Sequence, residues 1–462
     1  MKNSRRTFIA TAAAAGAASA LPARAETNPE GTPRLLLGPM VGAVTATSAP
    51  IWMQLSGDYF DAQVAYTTDP VNGPWKRTAP MRARAQDDCT LVIRLEGLQP
   101  GTTYHYRVLS NGKVDKYLRD LPPMSLLTAP AAPARFRVAF GSCARIQSDP
   151  EQPIWRAVAQ NEPDLFFWLG DNIYGDSTVP ATLAMEYQRQ RFVPSFQPIG
   201  RNVPQLAIWD DHDFGLDNYD RTNPIREQAL EVFKRYWANP SVGVPGTPGV
   251  FFDYSYGGVD FIFLDGRYHR APDSDPDTPE KEFLGKGQFE WLKARLLASK
   301  APFKVLACGS GWSRFKGPGG DAWSAYLHER QRLFDFIREQ KISGVVLLSG
   351  DTHFPYVACA PQSEQGGYDL YDLVSSALAQ MVAGSPMDLG KIAARMAPDQ
   401  MIRQPLLGVN NAGIIDFDMT GKTPTLSFNV IDIRGRALYA PLTLRADELV
   451  NGVSSWRSKL AR

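Results

Sequence analysis

Leu165-Phe166-Phe167-Trp168-Leu169-Gly170-Asp171-Asn172-Ile173-Tyr174 is the stretch from which the fold is read. Five consecutive apolar residues suit a short strand buried on both faces, and Gly-Asp-Asn directly behind them is turn chemistry. The same arrangement recurs along the chain. Phe136 to Phe140 leads into Gly141-Ser142-Cys143-Ala144-Arg145, and Leu206 to Trp209 into Asp210-Asp211-His212-Asp213. Val259 to Leu264 is followed by Asp265-Gly266-Arg267, Phe303 to Cys308 by Gly309-Ser310-Gly311-Trp312, and Val345 to Leu348 by Ser349-Gly350-Asp351-Thr352-His353. Helical periods fall between these runs, at Ile154 to Ala159, Glu227 to Lys234, Gln288 to Leu297 and Gln331 to Glu339. Apolar strands alternating with amphipathic helices predict a layered α/β domain, here residues 136–462. The carboxyl ends of strands in such a domain line one crevice, so the polar residues behind them converge. Converging carboxylates repel one another unless a cation lies among them, which makes a metal cluster the economical explanation.

Ahead of this domain the periodicity is different. Residues 35–127 carry short alternating runs such as Asp61-Ala62-Gln63-Val64-Ala65-Tyr66, Leu91-Val92-Ile93-Arg94-Leu95 and Thr103-Tyr104-His105-Tyr106-Arg107-Val108, separated by turn residues. These predict a small all-β sandwich over 26–127. Leu98 to Val108 resembles the tyrosine corner of fibronectin type III domains, which implies a Tyr hydroxyl tied to nearby backbone. His105, between two tyrosines, reads as a half-exposed strand residue. Thr128-Ala129-Pro130-Ala131-Ala132-Pro133-Ala134 offers no core residue and two prolines, so 128–135 reads as a linker.

Composition bounds the function. The 462 residues hold 49 Lys+Arg against 48 Asp+Glu, a formal +1, so specific nucleic-acid binding is not expected from bulk charge. Met1 to Ala25 has a basic start, an Ala-rich apolar stretch and the cleavage pattern Ala23-Arg24-Ala25, which together predict an export signal. Ser4-Arg5-Arg6-Thr7-Phe8 resembles twin-arginine signals, implying the twin-arginine export machinery as a partner and a periplasmic or secreted destination. Loss of 25 residues removes four basic side chains, leaving 45 basic against 48 acidic ones. No later stretch approaches the roughly 20 apolar residues of a membrane span. Only five histidines and four cysteines are present, so neither a disulfide scaffold nor a His-rich dizinc site can be assembled.

The motif series Phe140-Gly141-Ser142-Cys143, Leu169-Gly170-Asp171-Asn172-Ile173-Tyr174, Trp209-Asp210-Asp211-His212-Asp213, Leu264-Asp265-Gly266-Arg267 and Ser349-Gly350-Asp351-Thr352-His353 resembles the PhoD-type alkaline phosphatases of the metallophosphoesterase superfamily. Leu284-Gly285 through Trp291-Leu292 and Trp323 to Arg330 add to the likeness. The resemblance implies Asp171 as a carboxylate bridging two metals, with Cys143, Tyr174 and His353 completing one shell. Asp211 and Asp351 would hold the neighbouring calcium side, with Asn172 in support or in contact with calcium. The family's metals are ferric iron (Fe3+) with calcium (Ca2+). A thiolate and a phenolate suit trivalent iron, and carboxylate oxygens suit calcium.

The implied reaction is hydrolysis of a small phosphate ester by a metal-bound hydroxide attacking phosphorus in line. On this reading His212 protonates or positions the leaving oxygen, oriented by Asp213. Arg267 is the first candidate for bidentate phosphate contact and Arg145 the second. Monoesters are the expected substrates, with diesters an alternative; a noncatalytic exported metal-binding protein is the rival reading. Departures from the family include Gly266, where members often carry Thr, and Cys308, at a strand end where other phosphoesterases place a metal histidine. Asp176 to Val203 either walls the cleft or packs, and Cys89, Cys308 and Cys359 leave room for one disulfide.

Overall fold

A computed structural model describes residues 35–115, 118–119, 121–380 and 389–460. The expected export signal, 1–25, lies outside the described residues. Residues 35–127 form two facing antiparallel sheets. One consists of Leu35–Val41, Ser48–Leu55 and Thr90–Glu96; the other is built on Asp61–Thr67 and Thr103–Ser110 with four short flanking strands. Alternation fills the space between them with Ile51, Val64, Ile93, Leu95, Tyr106 and Val108. The Gln99 N–H donates to the Tyr104 hydroxyl at 2.9 Å, the tie that a tyrosine corner requires. His105 is half-buried on its strand.

The linker is shorter than expected. Thr128 and Ala129 are buried; the Thr128 hydroxyl donates to Gln99 O at 2.6 Å, and the Ala129 N–H to Thr45 O at 3.1 Å. They close the sandwich, because a buried Thr that finds two local acceptors costs nothing in lost hydrogen bonds. Only Pro130 to Ala134 reads as a surface connector.

Among the described residues the second part has thirteen strands: β1 (Arg135–Gly141), β2 (Leu165–Leu169), β3 (Gln205–Ile208), β4 (Phe252–Tyr256), β5 (Val259–Leu264), β6 (Phe303–Cys308), β7 (Val345–Ser349), β8 (Tyr356–Ala360), β9 (Leu370–Val374), β10 (Gln400–Arg403), β11 (Asn411–Asp418), β12 (Thr425–Asp432) and β13 (Leu442–Arg445). They do not make one open sheet. One sheet has the order β3-β2-β1-β11-β12-β13 and the other β4-β5-β6-β7-β9-β8-β10. Strands β1 to β3 run parallel, as do β5, β6, β7 and β9. The sheets meet through interlocked rings. Phe167 packs edge-on against Phe261 and Phe263 at 4.9 and 5.0 Å, and Phe417 stands perpendicular to Phe261 at 5.8 Å. Each such pair adds about 0.5–1.5 kcal/mol beyond the area it buries. The seam therefore sets the carboxyl ends of both parallel strand groups side by side.

A helix at Arg226–Tyr236 buries Ala229, Leu230, Val232, Phe233 and Tyr236, one stripe at helical spacing. The sandwich docks here. Trp52 Nε1–H donates to Arg235 O at 2.7 Å, and the Tyr106 hydroxyl to Arg201 O at 2.6 Å. The segment 176–203 contains a helix, Pro180–Arg191, and most of it packs: Arg191 is buried with its guanidinium carbon 4.0 Å from the Trp237 ring centre. Among the described residues no helix is long and apolar enough to cross a membrane. All four cysteines are free thiols, so no disulfide joins Cys89, Cys308 and Cys359.

Candidate metal centre

The loops behind β1, β2 and β7 are held in an uncommon backbone region. Cys143, Asp171, Asp351 and His353 have φ of 59°, 49°, 66° and 61°, each a non-glycine in left-handed conformation. That costs on the order of 1–3 kcal/mol per residue and persists only where the surroundings enforce it. Gly170, with φ of 86°, lets the β2 and β3 ends approach: a Cβ there would lie 2.5 Å from Asp210 Cβ.

The loops bring two ligand groups together. Single donor atoms of Cys143, Asp171 and His353 all lie within 4.8 Å of one another, as do those of Asp171, Asp211 and His212. Asp171 belongs to both. Its Oδ2 accepts from the Cys143 thiol and from the Tyr174 hydroxyl, each at 3.3 Å, and Tyr174 Oη lies 3.2 Å from His353 Nε2. Two protons thus point at one carboxylate oxygen from groups that make good anionic ligands once deprotonated. Asp171 Oδ1, Asn172 Oδ1 and Asp210 Oδ2 are buried with no hydrogen-bond partner. Buried lone pairs without a donor are costly, and a cation satisfies them. The residues fit metals.

Electrostatics agrees. Burial, reinforced by the charge of Asp211, pushes the Asp171 carboxyl well above the usual carboxylate range. Burial and then the Asp171 charge raise the Cys143 thiol, and burial with Cys143 and Asp171 raises the Tyr174 phenol. The protein alone makes these three groups hold protons, and cations reverse that preference. Burial, with Lys316 next, takes His353 down to about 4, so its imidazole is neutral and keeps a lone pair for ligation.

Two expectations are corrected, and a third meets a competing ion pair. Arg267 is fully buried: Nε donates to Asp210, Nη1 to Asp321 at 2.9 Å and to Tyr219 O at 3.3 Å, and Nη2 to Asp321 at 2.8 Å and Asp211 at 3.5 Å. With its N–H groups so engaged, it has no donor for phosphate; it neutralises the acids under the site. Asp213 does not orient His212. Its carboxylate accepts from the Tyr187 hydroxyl at 2.8 Å, from Asn172 N–H at 3.1 Å and from Asp210 N–H at 3.2 Å, bracing the β2 and β3 loops against each other. Asp176 holds His212 instead, bonded to Nδ1, while Asp217 lies 3.6 Å from Nε2. Asp351, expected on the calcium side, is ion-paired with Lys316 and is not a member of either ligand group.

Asn172 donates its side-chain amide to Ile208 O at 2.8 Å, which turns Oδ1 the other way, and that oxygen is one of the unpartnered ones. The rings of His212 and Tyr174 stack with centres 4.1 Å apart. Arg145, ranked second from sequence, is better placed than Arg267. Its guanidinium carbon stands 5.0 Å from the Tyr174 ring centre, its Nε has no hydrogen-bond partner, and it is only partly buried. Arg145→Ala is expected to raise KM for a phosphate ester with little change in thermal stability, checked by steady-state kinetics and a melting curve. Asp176→Asn is expected to lower kcat roughly 10- to 100-fold, as loss of a group orienting a site histidine does, while Asp213→Asn mainly lowers metal retention. Metal content measured beside kcat separates the two.

Asp176, Asp321 and Lys316 were missed from sequence. Asp176 follows Tyr174 by two residues, a proximity signal that was available. Asp321 and Lys316 sit in the Gly-rich run 316–321, whose path no periodicity reports.

The PhoD-like phosphatase family model matches residues 138–428, well over half of the chain. The chain belongs to the PhoD-like phosphatase family. Residues 32–122 match a domain of unknown function, DUF7800. Alkaline phosphatase D of Bacillus subtilis (strain 168) is 24% identical over 312 residues, which cover 56% of this chain and 52% of that protein; the match thus spans about half of the relative's length. A solved structure of PhoD superposes with a TM-score of 0.70 at 19% identity, covering 90% of this chain and 94% of that one. A purple acid phosphatase from yellow lupin (Lupinus luteus) seeds superposes at 0.59 with 14% identity, covering 92% and 75%. At these identities the superpositions speak for the fold alone: this family member shares with both structures an α/β part, here behind an all-β one.

Proposed function

We propose that this PhoD-like chain is a metal-dependent hydrolase of phosphate esters, with iron held by Cys143, Asp171, Tyr174 and His353 and calcium on the side of Asp171, Asn172 and Asp211. The observation that carries this is Asp171 standing in both ligand groups with two ligand protons aimed at its Oδ2. The sulfur, phenol and imidazole on one side suit ferric iron, and the oxygens on the other suit calcium. When bound, such a metal pair supplies an acidified water and neutralises charge on the phosphoryl oxygens. The chain's own residues do the rest. Arg145 orients a phosphoryl oxygen beside the Tyr174 ring. His212, held by Asp176 and stacked on Tyr174, delivers a proton to the leaving oxygen. Asp213 keeps the β2 and β3 loops in register beneath it, and Arg267 neutralises Asp210 and Asp321.

Purified protein is expected to hydrolyse p-nitrophenyl phosphate or bis(p-nitrophenyl) phosphate, to lose the activity on chelation and to regain it with iron and calcium. Metal analysis on the same sample gives the stoichiometry, and no turnover of either ester with both metals supplied would overturn the enzymatic reading. The same proposal includes export to the periplasm or medium by the twin-arginine route, for which Arg5-Arg6→Lys-Lys is expected to leave the precursor inside the cell.

A further inference from the structure

Two serine hydroxyls converge on the sulfur of Cys143. Ser142 Oγ and Ser376 Oγ each lie 3.3 Å from Sγ, and all three residues are fully buried. Both hydroxyl oxygens are already acceptors from one loop: the Asp351 N–H donates to Ser142 Oγ at 2.9 Å and the His353 N–H to Ser376 Oγ at 3.0 Å. A serine hydroxyl has a single hydrogen, and with its oxygen engaged by an N–H that hydrogen turns to the nearest remaining acceptor, here the sulfur. The surroundings hold this geometry. Asn411 donates to Ser376 O at 2.5 Å and accepts the Ser375 hydroxyl at 2.8 Å. Gly350 has no Cβ to clash; one built there would stand 2.5 Å from Ser142 Oγ.

We propose that Ser142 and Ser376 are positioning residues for Cys143 as a metal ligand, each hydroxyl donating to the sulfur while its oxygen anchors the loop that carries Asp351 and His353. This rests on the reading of Cys143 as a ligand given above. The Cys143 proton lies toward Asp171 Oδ2; with a metal bound the S–H bond would be exchanged for a metal–sulfur bond, the proton would pass to solvent, and the thiolate would accept both O–H groups. Hydrogen bonds to a thiolate lower the energy of its donor electrons, the same lever that tunes iron–sulfur and copper–thiolate centres. They also fix which way its lone pairs face.

Cobalt(II) is the probe, because a thiolate bound to it gives a charge-transfer band in the near ultraviolet. The full-length protein, S142A, S376A, the double variant, S376T and C143A are loaded and their spectra and cobalt affinities compared. The expected result is a band in the wild type that C143A lacks and that moves to longer wavelength in each alanine variant and further in the double one. S376T restores the wild-type position, and affinity falls roughly 10- to 100-fold in the alanine variants. A wild-type band that stays in place in both alanine variants overturns the proposal, whatever happens to melting temperature, since a purely structural serine changes stability and not the sulfur's electronic energy. A wild type without the band overturns the ligand reading and the proposal together. If S142A does not fold, S376A and S376T decide the matter by the same criterion.

Discussion

Asp171→Asn is expected to abolish phosphate-ester hydrolysis, with kcat lower by on the order of 10³-fold or more and both metals lost from the purified protein. The reason is geometric. Among the described residues Asp171 is the one common to the two ligand groups, so on the proposed reading a neutral amide there would weaken two cation sites at once. Metal ions supply several kcal/mol of transition-state stabilisation, and each ~1.4 kcal/mol is a factor of ten in rate. Folding is expected to survive, because burial pushes the Asp171 carboxyl up and the metal-free protein gains from a neutral side chain at that position. The decisive measurement sets kcat and metal content beside a melting curve. A variant that keeps both metals and turns over at the wild-type rate would remove Asp171 from the centre of the site.

Arg267→Met is expected to destabilise the protein by about 3–5 kcal/mol, the usual cost of removing one partner from a buried ionic cluster. Arg267 is fully buried and engages Asp210, Asp211 and Asp321, all three largely shielded from water. Arg270, bonded to Asp321 at 2.6 Å, and Lys316, 3.9 Å from it, would compensate in part. Urea unfolding monitored by fluorescence tests this. A phosphate-binding role predicts the opposite pattern, a raised KM on an undiminished unfolding free energy, so one variant distinguishes the two. Arg267→Lys is expected to recover part of the loss, since a single ammonium cannot reproduce a fork that reaches three carboxylates.

Much of the site was legible because it sits at strand ends. The reading of Cys143, Asp171 and Asp211 as neighbours needed only that β1, β2 and β3 be parallel, and the apolar runs ahead of them carry that information, whereas His353, behind β7 in the other sheet, joins them through the seam between the sheets. Side-chain partnerships were less legible. Asp213 and Asp176 are both acids close in sequence to the site, and adjacency favoured Asp213 as the partner of His212. The short turn at Asp211–Phe214 sends Asp213 inward to Tyr187, while Asp176 comes back over the imidazole from the neighbouring loop. Arg267 was misread for a similar reason: that it is spent on local acids depends on Asp321, which is 54 residues further along the chain.

Periodicity and turn chemistry by themselves determined the β-sandwich, the alternating strands and helices and the chemical types gathered at the strand ends. They could do so because burial of a strand or a helix face is a local property, written at period 2 or 3.6. Only the tertiary structure decided that the strands divide into two facing sheets, that β11 to β13 return to complete the first, and which acid pairs with which base. Those outcomes depend on contacts between residues far apart in the chain, such as Phe167 with Phe263 and Ser376 with Cys143. The energy of such contacts is distributed over packing and hydrogen bonds and leaves no periodic trace in either partner's own segment.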